Sequence, residues 1–461
     1  MRLVFDRGTL LLLDVEVDHG LANIPELLWD PRVDRYRAPA WRYAEVASAL
    51  ASNGGRYSDE VQDRSARPAA WREVPLRAYQ QEALSAWSRA GRRGLIVLPT
   101  GSGKTRLALA AMARLAVPTL CLVPTRVLLD QWCGEIAALY PHPVGRYGDG
   151  ARDLAAITVA TYESAYRHMD VLGNRFDLLV IDEAHHVGAG AHGDALEMCT
   201  APHRLGLTAT PLPPGAACDA VARWIGPRVY ELGIGDLAGV FLAAFDVVPI
   251  GVELTRPERE RYERLIARFR SAHAMFRDSA PGGSWQDFTI TAARTAEGRA
   301  ALRAWRESRA LVSLCAAKRA IVDELLARHR DARVLVFVAD NAAAYDIASR
   351  NLVMPLTCDI GRTERAEALA RFRSGELRAL VSARVLNEGL DVPDAEIGII
   401  VGGASGEREH VQRIGRLLRP APGKRATVYE LVARGTIEVR QAARRRRGLA
   451  GRGAAGLPAA G

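Results

Sequence analysis

The sequence predicts an α/β protein with two tandem, doubly wound parallel-sheet domains, a helical insertion and a small N-terminal domain. The main observation is that apolar runs alternate with amphipathic helix patterns in two long stretches. The first holds GLIVL, PTLCLV, ITVA, DLLVI and RLGLT between about residues 94 and 208, and the second holds RVLVFV, RALVSA, EIGIIVGG and ATVYELV from about 333 to 432. Continuous Val/Ile/Leu runs separated by helices are typical of parallel strands buried on both faces. Two such units imply two domains with a cleft between them.

The segment between the two stretches has a helical pattern. Thr255 and Glu258 form a capping box, with Pro257 in the first turn of the helix. The apolar residues that follow share one helix face: Tyr262, Leu265, Ile266 and Phe269. A loop containing SAPGGS and a second helix pattern near EGRAALRAWRESRALVSL come next. We therefore expect a helical hairpin inserted into the α/β plan.

The domain boundaries follow from these changes of pattern. We expect a small N-terminal accessory domain over 1–68, a first α/β domain over 69–225, a linker with the first strand of the second domain over 226–254, the insertion over 255–312, the second α/β domain over 313–447 and a tail over 448–461. The tail is rich in Gly, Ala and Pro, which favours disorder.

Composition limits the class of protein. The chain has 461 residues, of which 49% are hydrophobic and 25% charged, as in ordinary globular proteins. Apolar runs stay well below the roughly 18–20 residues of a membrane span, and the N-terminus lacks a signal-peptide pattern. The six cysteines contain no C-x-x-C pair, which argues against zinc and for the cytoplasm. A net charge of +9 indicates a polyanionic partner such as nucleic acid, and the short apolar runs predict no role for a membrane.

The stretch LPTGSGKT, after a strand pattern and before a helix pattern, predicts a phosphate-binding loop. Its glycines permit a turn that directs backbone N–H groups around phosphates, and the next helix adds its positive end. Lys104 would reach the β- and γ-phosphates of ATP, and the Thr105 hydroxyl would ligate Mg²⁺. Only three of the 62 basic residues are lysine, so a lysine here indicates a need for a compact ammonium. The predicted cradle is Thr100, Gly101, Ser102, Gly103, Lys104 and Thr105, although Leu98 replaces the first glycine of the strict pattern.

FDLLVIDEAHH supplies the second half of a nucleotide site. The apolar strand ends in Asp182 and Glu183, which places two carboxylates at the carboxyl edge of the sheet, near the phosphate loop. Asp182 suits the metal, and Glu183 suits orienting and deprotonating the attacking water. These residues predict catalysis of ATP hydrolysis, with Lys104 and Glu183 as catalytic groups.

TGSGKT, DEAH and LTAT together resemble the first-domain motifs of superfamily-two, DEAH-type helicases and translocases, which have two RecA-like domains. VLNEGLDVPDAEIG and QRIGRLLRP resemble the second-domain motifs, so the resemblance covers about residues 70–432. The resemblance implies nucleotide contacts from Gly389 and Asp391, and catalytic roles for Gln412, Arg416 and Arg419. The two arginines would reach across the cleft to the γ-phosphate, where transition-state charge needs neutralising.

The resemblance also implies roles in the first domain. LRAYQQEAL is similar to the segment that reads adenine, which gives Arg77 and Gln80. LVPTRVLLDQW and VATYESA are similar to segments that contact the nucleic-acid backbone, which gives Arg126 and Thr161. LTAT is similar to the motif that couples hydrolysis to movement, which gives Thr208 and Thr210.

Within the superfamily the chain is most similar to XPB-like DNA helicases. LTATP favours DNA over RNA, and LWDPRVDRYRAPAWRYAEVASAL resembles the short leading domain of that group. XPB proteins usually carry an Arg-Glu-Asp triplet soon after LTAT, whereas PLPPGAACDA stands here. Strand separation is therefore in question, while ATP hydrolysis and duplex translocation are not.

Three arginines of the insertion form a candidate DNA contact. Arg299, Arg303 and Arg306 fall on one helical face, which fits either a phosphate-tracking stripe or a solvated surface. Our functional prediction is an ATP- and Mg²⁺-dependent DNA helicase or duplex translocase that acts on duplex or forked DNA. The alternatives are a motor subunit of a restriction or phage-defence complex, with a nuclease or repair protein as partner, and an RNA helicase.

Overall fold

The structure is a computed structural model, which describes residues 1–15, 21, 24, 26–52, 57–63, 67–187, 192–383, 395–402 and 425–447. The chain forms two compact units, Met1–Leu232 and Gly233–Gly461. The first unit contains a five-stranded and an eight-stranded sheet, and the second contains a six-stranded sheet and the insertion. In the described part of the chain, none of the helices is long and apolar enough to cross a membrane.

The N-terminal sheet has the order β3-β4-β2-β1-β5. Its elements are β1 (Arg2–Asp6), β2 (Thr9–Leu13), β3 (Leu28–Asp30), β4 (Arg35–Pro39), α1 (Tyr43–Ser52) and β5 (Ser58–Glu60). All pairings are antiparallel except β1 with β5. Leu10 and Leu12 alternate inward along β2 and pack with Val46 and Leu50 of α1, so this small domain has its own core.

The larger sheet of the first unit has the order β13-β6-β12-β11-β7-β10-β8-β9, and every pairing except β8 with β9 is parallel. Its strands are β6 (Arg93–Val97), β7 (Thr119–Val123), β8 (Gly145–Gly148), β9 (Ala151–Arg152), β10 (Ile157–Thr161), β11 (Leu178–Ile181), β12 (His203–Thr208) and β13 (Arg228–Glu231). The helices are α2 (Ala78–Arg89), α3 (Lys104–Leu115), α4 (Arg126–Leu139), α5 (Tyr162–Leu172), α6 (His192–Glu197) and α7 (Ala216–Trp224). All the apolar runs predicted as strands form strands here. Residues of β7, β10 and β11 are buried throughout, as the continuous apolar pattern predicts.

The sheet of the second unit has the order β14-β19-β18-β15-β17-β16 and is entirely parallel. Its strands are β14 (Ala244–Val252), β15 (Val334–Phe337), β16 (Met354–Leu356), β17 (Ala379–Ser382), β18 (Ile397–Ile400) and β19 (Arg425–Ala433). The helices outside the insertion are α8 (Ile234–Leu237), α12 (Ala316–Arg328), α13 (Asn341–Asn351), α14 (Arg362–Ser374) and α15 (Ile437–Arg447).

The segment 226–254 differs from its expected assignment as a linker and first strand of the second domain. Within it, Arg228–Glu231 pairs with β6 and extends the first sheet, while Ala244–Val252 is the strand that joins the second sheet. The sequence did not reveal β13 because RVYE is a four-residue segment with a charged residue at each end and no apolar run.

The insertion has three helices rather than the two of a simple hairpin: α9 (Arg256–Ser279), α10 (Trp285–Arg294) and α11 (Ala296–Ser313). The capping box at Thr255 and Glu258 is formed as predicted. Tyr262 and Ile266 of α9 are buried with Val312 of α11, so the predicted apolar face packs the two long helices together. The extra helix α10 is capped by Ser284 inside the predicted loop, a signal that the sequence reasoning missed.

Candidate nucleotide and nucleic-acid sites

Five neighbouring parallel strands of the first unit, in the order β6-β12-β11-β7-β10, end at one edge of the sheet. The phosphate loop follows β6, the LTAT motif closes β12, and the carboxylate pair follows β11. The two segments predicted to contact nucleic acid follow β7 and β10. Carboxyl ends of parallel strands are where α/β sheets bind ligands, so the topology gathers all five motifs at one edge.

The loop after β6 has the backbone of a phosphate cradle. Gly101 and Gly103 have φ angles of 83° and 78°, in the left-handed region that favours glycine. Gly103 is the N-cap of α3, and Lys104 begins that helix, so the first N–H groups of α3 face the loop. Lys104 Nζ donates to Leu98 O (3.2 Å) and Pro99 O (3.4 Å) on the same loop.

The hydroxyl groups of the loop also suit the binding of an anion. The Thr100 hydroxyl oxygen is buried and has no hydrogen-bond partner within the described residues, whereas the Ser102 hydroxyl donates to Pro99 O at 2.7 Å. A positive helix end, a lysine and an unpaired hydroxyl form a donor set that fits phosphate oxygens. Thr105 is in the first turn of the same helix, where it could ligate a metal bound beside the phosphates.

The two carboxylates lie at the end of β11, as predicted. Asp182 is 6% exposed; its Oδ2 accepts from Trp132 Nε1 (2.8 Å), and its Oδ1 accepts from the Glu183 N–H (3.0 Å). Burial raises the pKa of Asp182 to about 6, the Glu183 charge adds to this, and Lys104 opposes it. Mg²⁺ would favour the ionised form, so a buried carboxylate beside a phosphate loop fits that metal.

Glu183 adopts φ 49°, a left-handed conformation that is uncommon for a residue with a Cβ. Its Oε2 is buried and makes no hydrogen bond among the described residues, while His185 Nδ1 lies 3.4 Å away. Strained backbone and an unused carboxylate oxygen are features of catalytic positions, and here they belong to the residue predicted as the base.

A hydrogen-bonded chain links the carboxylate segment to the end of β12. His185 Nδ1 lies 3.2 Å from Thr208 Oγ1, and the Thr208 hydroxyl donates to Thr210 O at 3.2 Å. His185, Thr208 and Thr210 are all buried. Of the two threonines predicted to couple hydrolysis to movement, Thr208 thus contacts the turn that follows the predicted catalytic pair, and Thr210 is linked to that turn through Thr208.

The segment predicted to read adenine packs against the phosphate loop. Gln80 Nε2 donates to Ser102 O (2.9 Å) and Gly103 O (3.2 Å), and its Oε1 accepts from the Arg77 N–H at 2.9 Å. The neighbouring Tyr79 hydroxyl donates to Ser102 O at 2.5 Å. Gln80 therefore supports the loop, and Tyr79 is a supporting residue that the sequence reasoning missed. Adenine recognition by Arg77 and Gln80 stays a prediction.

The starts of α4 and α5 border one open pocket of about 520 Å³, which also includes the turn after β8. Arg126 is 68% exposed at the side chain, and its Nη1 forms an ion pair with Asp149 Oδ1 at 2.7 Å. The Thr161 hydroxyl caps α5 by accepting from the Ser164 N–H and donating to Ser164 Oγ. The pocket thus contains both residues predicted to contact the nucleic-acid backbone, although the hydroxyl of Thr161 has a structural use.

The remaining predicted site residues belong to the second unit of the chain. Arg299, Arg303 and Arg306 are exposed along α11 of the second unit. The other predicted residues lie outside the described part of the chain: Gly389, Asp391, Gln412, Arg416 and Arg419.

Three family models match the chain in order. The Xeroderma pigmentosum group B helicase damage recognition domain matches residues 3–61, the type III restriction enzyme res subunit matches 73–212, and the helicase conserved C-terminal domain matches 317–421.

Named relatives match nearly the whole chain. The DNA 3′-5′ translocase XPB2 of Sulfurisphaera tokodaii is 35% identical over 428 residues, which cover 92% of this chain and 97% of that protein. The putative DNA 3′-5′ helicase Rad25 of Halobacterium salinarum is 31% identical, over 96% of this chain and 70% of that protein. The crystal structure of the Pyrococcus furiosus Hef helicase domain aligns with a TM-score of 0.53 at 20% identity, over 80% of this chain and 98% of that domain.

The fold, the phosphate loop and these matches define a superfamily-two helicase with two RecA-like domains, an ATPase that uses ATP with Mg²⁺. Within that class the chain belongs to the XPB helicase family, because a relative of almost the same length is 35% identical and the leading domain matches as well.

Proposed function

We propose that this chain is an ATP- and Mg²⁺-dependent DNA translocase that moves along duplex or forked DNA in the 3′-5′ direction. The observation that carries the proposal is the common sheet edge: the phosphate loop, the LTAT motif, the carboxylate pair and the two segments at the pocket lie at the ends of five neighbouring strands. The relatives named as DNA 3′-5′ translocase or helicase support the substrate and the direction. We also propose that the protein acts in the cytoplasm, which its six free cysteines support.

We further propose roles for the residues at the nucleotide site. Lys104 and the first turn of α3 hold the phosphates, while Thr105 and Asp182 hold Mg²⁺, which neutralises phosphate charge when bound. Glu183 orients the attacking water and accepts its proton, as befits a carboxylate in a DEAH-type motif. Arg416 and Arg419 as γ-phosphate contacts, with Gln412, Gly389 and Asp391 beside them, stay predictions from the resemblance. The division into domains at 68, 225, 254, 312 and 447 is likewise a proposal, except that the boundary at 225 moves beyond Glu231 because β13 pairs with β6.

The chain has no Arg-Glu-Asp triplet after LTAT; α7 begins at Ala216 in that region. We therefore favour translocation on duplex DNA over strand separation. The match of residues 73–212 to a restriction-enzyme subunit supports a second candidate, a motor in an assembly whose nuclease is another protein.

The deciding experiment compares ATP turnover by the full chain with duplex DNA, single-stranded DNA and RNA, with Glu183→Gln as the hydrolysis-deficient control. Stimulation by duplex DNA above the other two supports the proposal. If RNA stimulated turnover as strongly as duplex DNA or more strongly, the protein would be assigned as an RNA helicase instead. Displacement of a third strand from a triplex then separates translocation from unwinding of a forked duplex, and triplexes with tracks of opposite polarity test the direction.

A further inference from the structure

Two aromatic side chains converge on Asp182 from different helices. Trp132 of α4 is 1% exposed, and its Nε1 donates to Asp182 Oδ2 at 2.8 Å. Tyr162, the first residue of α5, is 4% exposed, and its hydroxyl donates to Asp182 O at 2.6 Å. One bond holds the carboxylate group and the other holds the backbone of the same residue.

Both helices begin at the nucleic-acid pocket. Arg126 is the first residue of α4, and Thr161 is the N-cap of α5; both border the pocket after β7 and β10. Trp132 is six residues after Arg126, so about 9 Å of regular helix separates the pocket from the bond to Asp182. Tyr162 is adjacent to Thr161, so on this side the pocket and the bond are one residue apart.

Capping and burial hold the helix that carries Trp132 in place. Thr125 caps α4 through the Leu128 N–H, and Leu129 of the same helix is fully buried. A shift of either helix start on binding a phosphate backbone would therefore be passed along packed helix rather than absorbed by a loop. Because Asp182 is buried, water cannot replace a lost hydrogen bond from Trp132.

We propose that Trp132 and Tyr162 are positioning residues that couple nucleic acid in the pocket to the orientation of the metal-binding carboxylate of Asp182. The inference rests on the proposed function, since it takes the pocket as the nucleic-acid site and Asp182 as the Mg²⁺ ligand. Nucleic acid and Mg²⁺-nucleotide then strengthen each other's binding by the same factor, because such coupling is reciprocal.

The test measures the affinity of a fluorescent ATP analogue by anisotropy, in a Glu183→Gln background that prevents turnover. Each protein is titrated with and without duplex DNA, in Mg²⁺ and in EDTA. In the parent, DNA strengthens binding at least about fivefold in Mg²⁺, at the low end of known couplings. With Trp132→Phe or Tyr162→Phe this enhancement falls below about twofold, while affinity in EDTA stays within about twofold of the parent.

Matched controls remove similar bonds elsewhere. Trp87 is 1% exposed and donates to Arg204 O at 2.9 Å, and Tyr57 donates to Ala47 O at 3.1 Å, so Trp87→Phe and Tyr57→Phe should keep the full enhancement. Loss in the controls as well, or retention in Trp132→Phe and Tyr162→Phe, would overturn the inference. ATP turnover by the wild-type protein tests the proposed function separately from this inference. If duplex DNA stimulates that turnover, the proposed function stands whatever the variants do.

Discussion

Both units contain charged side chains withdrawn from solvent, half-buried for Lys104 and Glu183 in the first unit and fully buried for Lys318 in the second, and the two groups have different partners. In the first unit, Lys104 Nζ donates to loop carbonyls, and Glu183 Oε2 makes no hydrogen bond among the described residues. In the second unit, Lys318 is fully buried, and its Nζ donates to both oxygens of Glu438 (2.9 and 2.7 Å) and to Val401 O (2.6 Å). Burial lowers the pKa of Lys318, and the charge of Glu438 opposes this shift.

A second pair in the same unit repeats the pattern. Arg445 Nε lies 2.8 Å and its Nη2 2.7 Å from Oε1 of Glu430, and both residues are buried. These charges hold α12 and α15 to the sheet. The comparison shows that buried charge alone does not mark a reactive site. What distinguishes the first unit is the position of its lysine and carboxylates at the carboxyl edge of the sheet, where the phosphate loop follows β6 and the carboxylate pair follows β11.

The largest effect is expected when the buried ion pair between Lys318 and Glu438 in the second unit is broken. Lys318→Met leaves the Glu438 carboxylate buried without its cation, so we expect a loss of about 3–5 kcal/mol in the free energy of unfolding. Urea unfolding of the full chain, followed by circular dichroism, measures this change. The double variant Lys318→Met, Glu438→Gln should recover most of it, since a neutral amide can still accept from the Ala433 N–H. A single variant as stable as the wild type would mean that the pair contributes no stability.

The next largest effect is expected in the first unit, where substitutions should lower ATP turnover and leave the free energy of unfolding nearly unchanged. Glu183→Gln and Lys104→Ala should each lower ATP turnover at least about 10²-fold, the scale of general-base loss. Glu183→Gln should still bind nucleotide, because it removes a catalytic oxygen and leaves the phosphate loop intact. Steady-state kinetics with duplex DNA gives kcat, and the same urea series should show little change in stability. Turnover near that of the wild type would contradict the assigned roles.

These differences also show what the sequence could reveal. The phosphate loop and the Asp182–Glu183 pair were predictable because each is a short, contiguous pattern at a strand end. The contacts of Trp132 and Tyr162 with Asp182 were not, because they join residues 50 and 20 positions apart through tertiary packing. β13 was missed because a four-residue strand is too short to show periodicity, whereas α10 was missed because its capping box, Ser284 with Asp287, lies inside a Gly-rich segment that indicates a loop.

Lys318 carries the same sequence signal as Lys104. In a chain with three lysines among 62 basic residues, a lysine indicates a place where a compact ammonium is needed. At Lys318 the three donors of the ammonium meet two carboxylate oxygens and one carbonyl. The sequence pointed to the need for an ammonium, but only the structure separates a structural ion pair from a ligand site.

A smaller effect is expected from the exposed arginines of the insertion. Replacing Arg299, Arg303 and Arg306 with Ala should weaken duplex binding and flatten its salt dependence by up to about three contacts, each worth roughly 0.9 in the slope of log K against log salt. Turnover without DNA should persist, because none of these three residues belongs to the proposed nucleotide site. Duplex affinity across a salt series is the measurement. Replacing Arg328, Arg330 and Arg350, which are also exposed, removes the same charge as a control. If the triple variant and the wild type gave the same slope of log K against log salt, the three arginines would be a solvated surface and not a DNA contact.

The smallest expected effect concerns the ion pair at the pocket proposed to bind nucleic acid. Asp149 holds Arg126 in the place where a phosphate would compete for the same guanidinium. Arg126 is largely exposed, so the pair is worth about 0.2–1 kcal/mol, and Asp149→Asn should strengthen duplex binding by up to about fivefold. Anisotropy of labelled duplex DNA at fixed salt measures this, with Asp170→Asn, an exposed position on α5, as the control for the lost charge. Equal gains in both variants would indicate net charge alone. Weaker binding by Asp149→Asn would show that Asp149 prepares Arg126 for phosphate instead of competing with it.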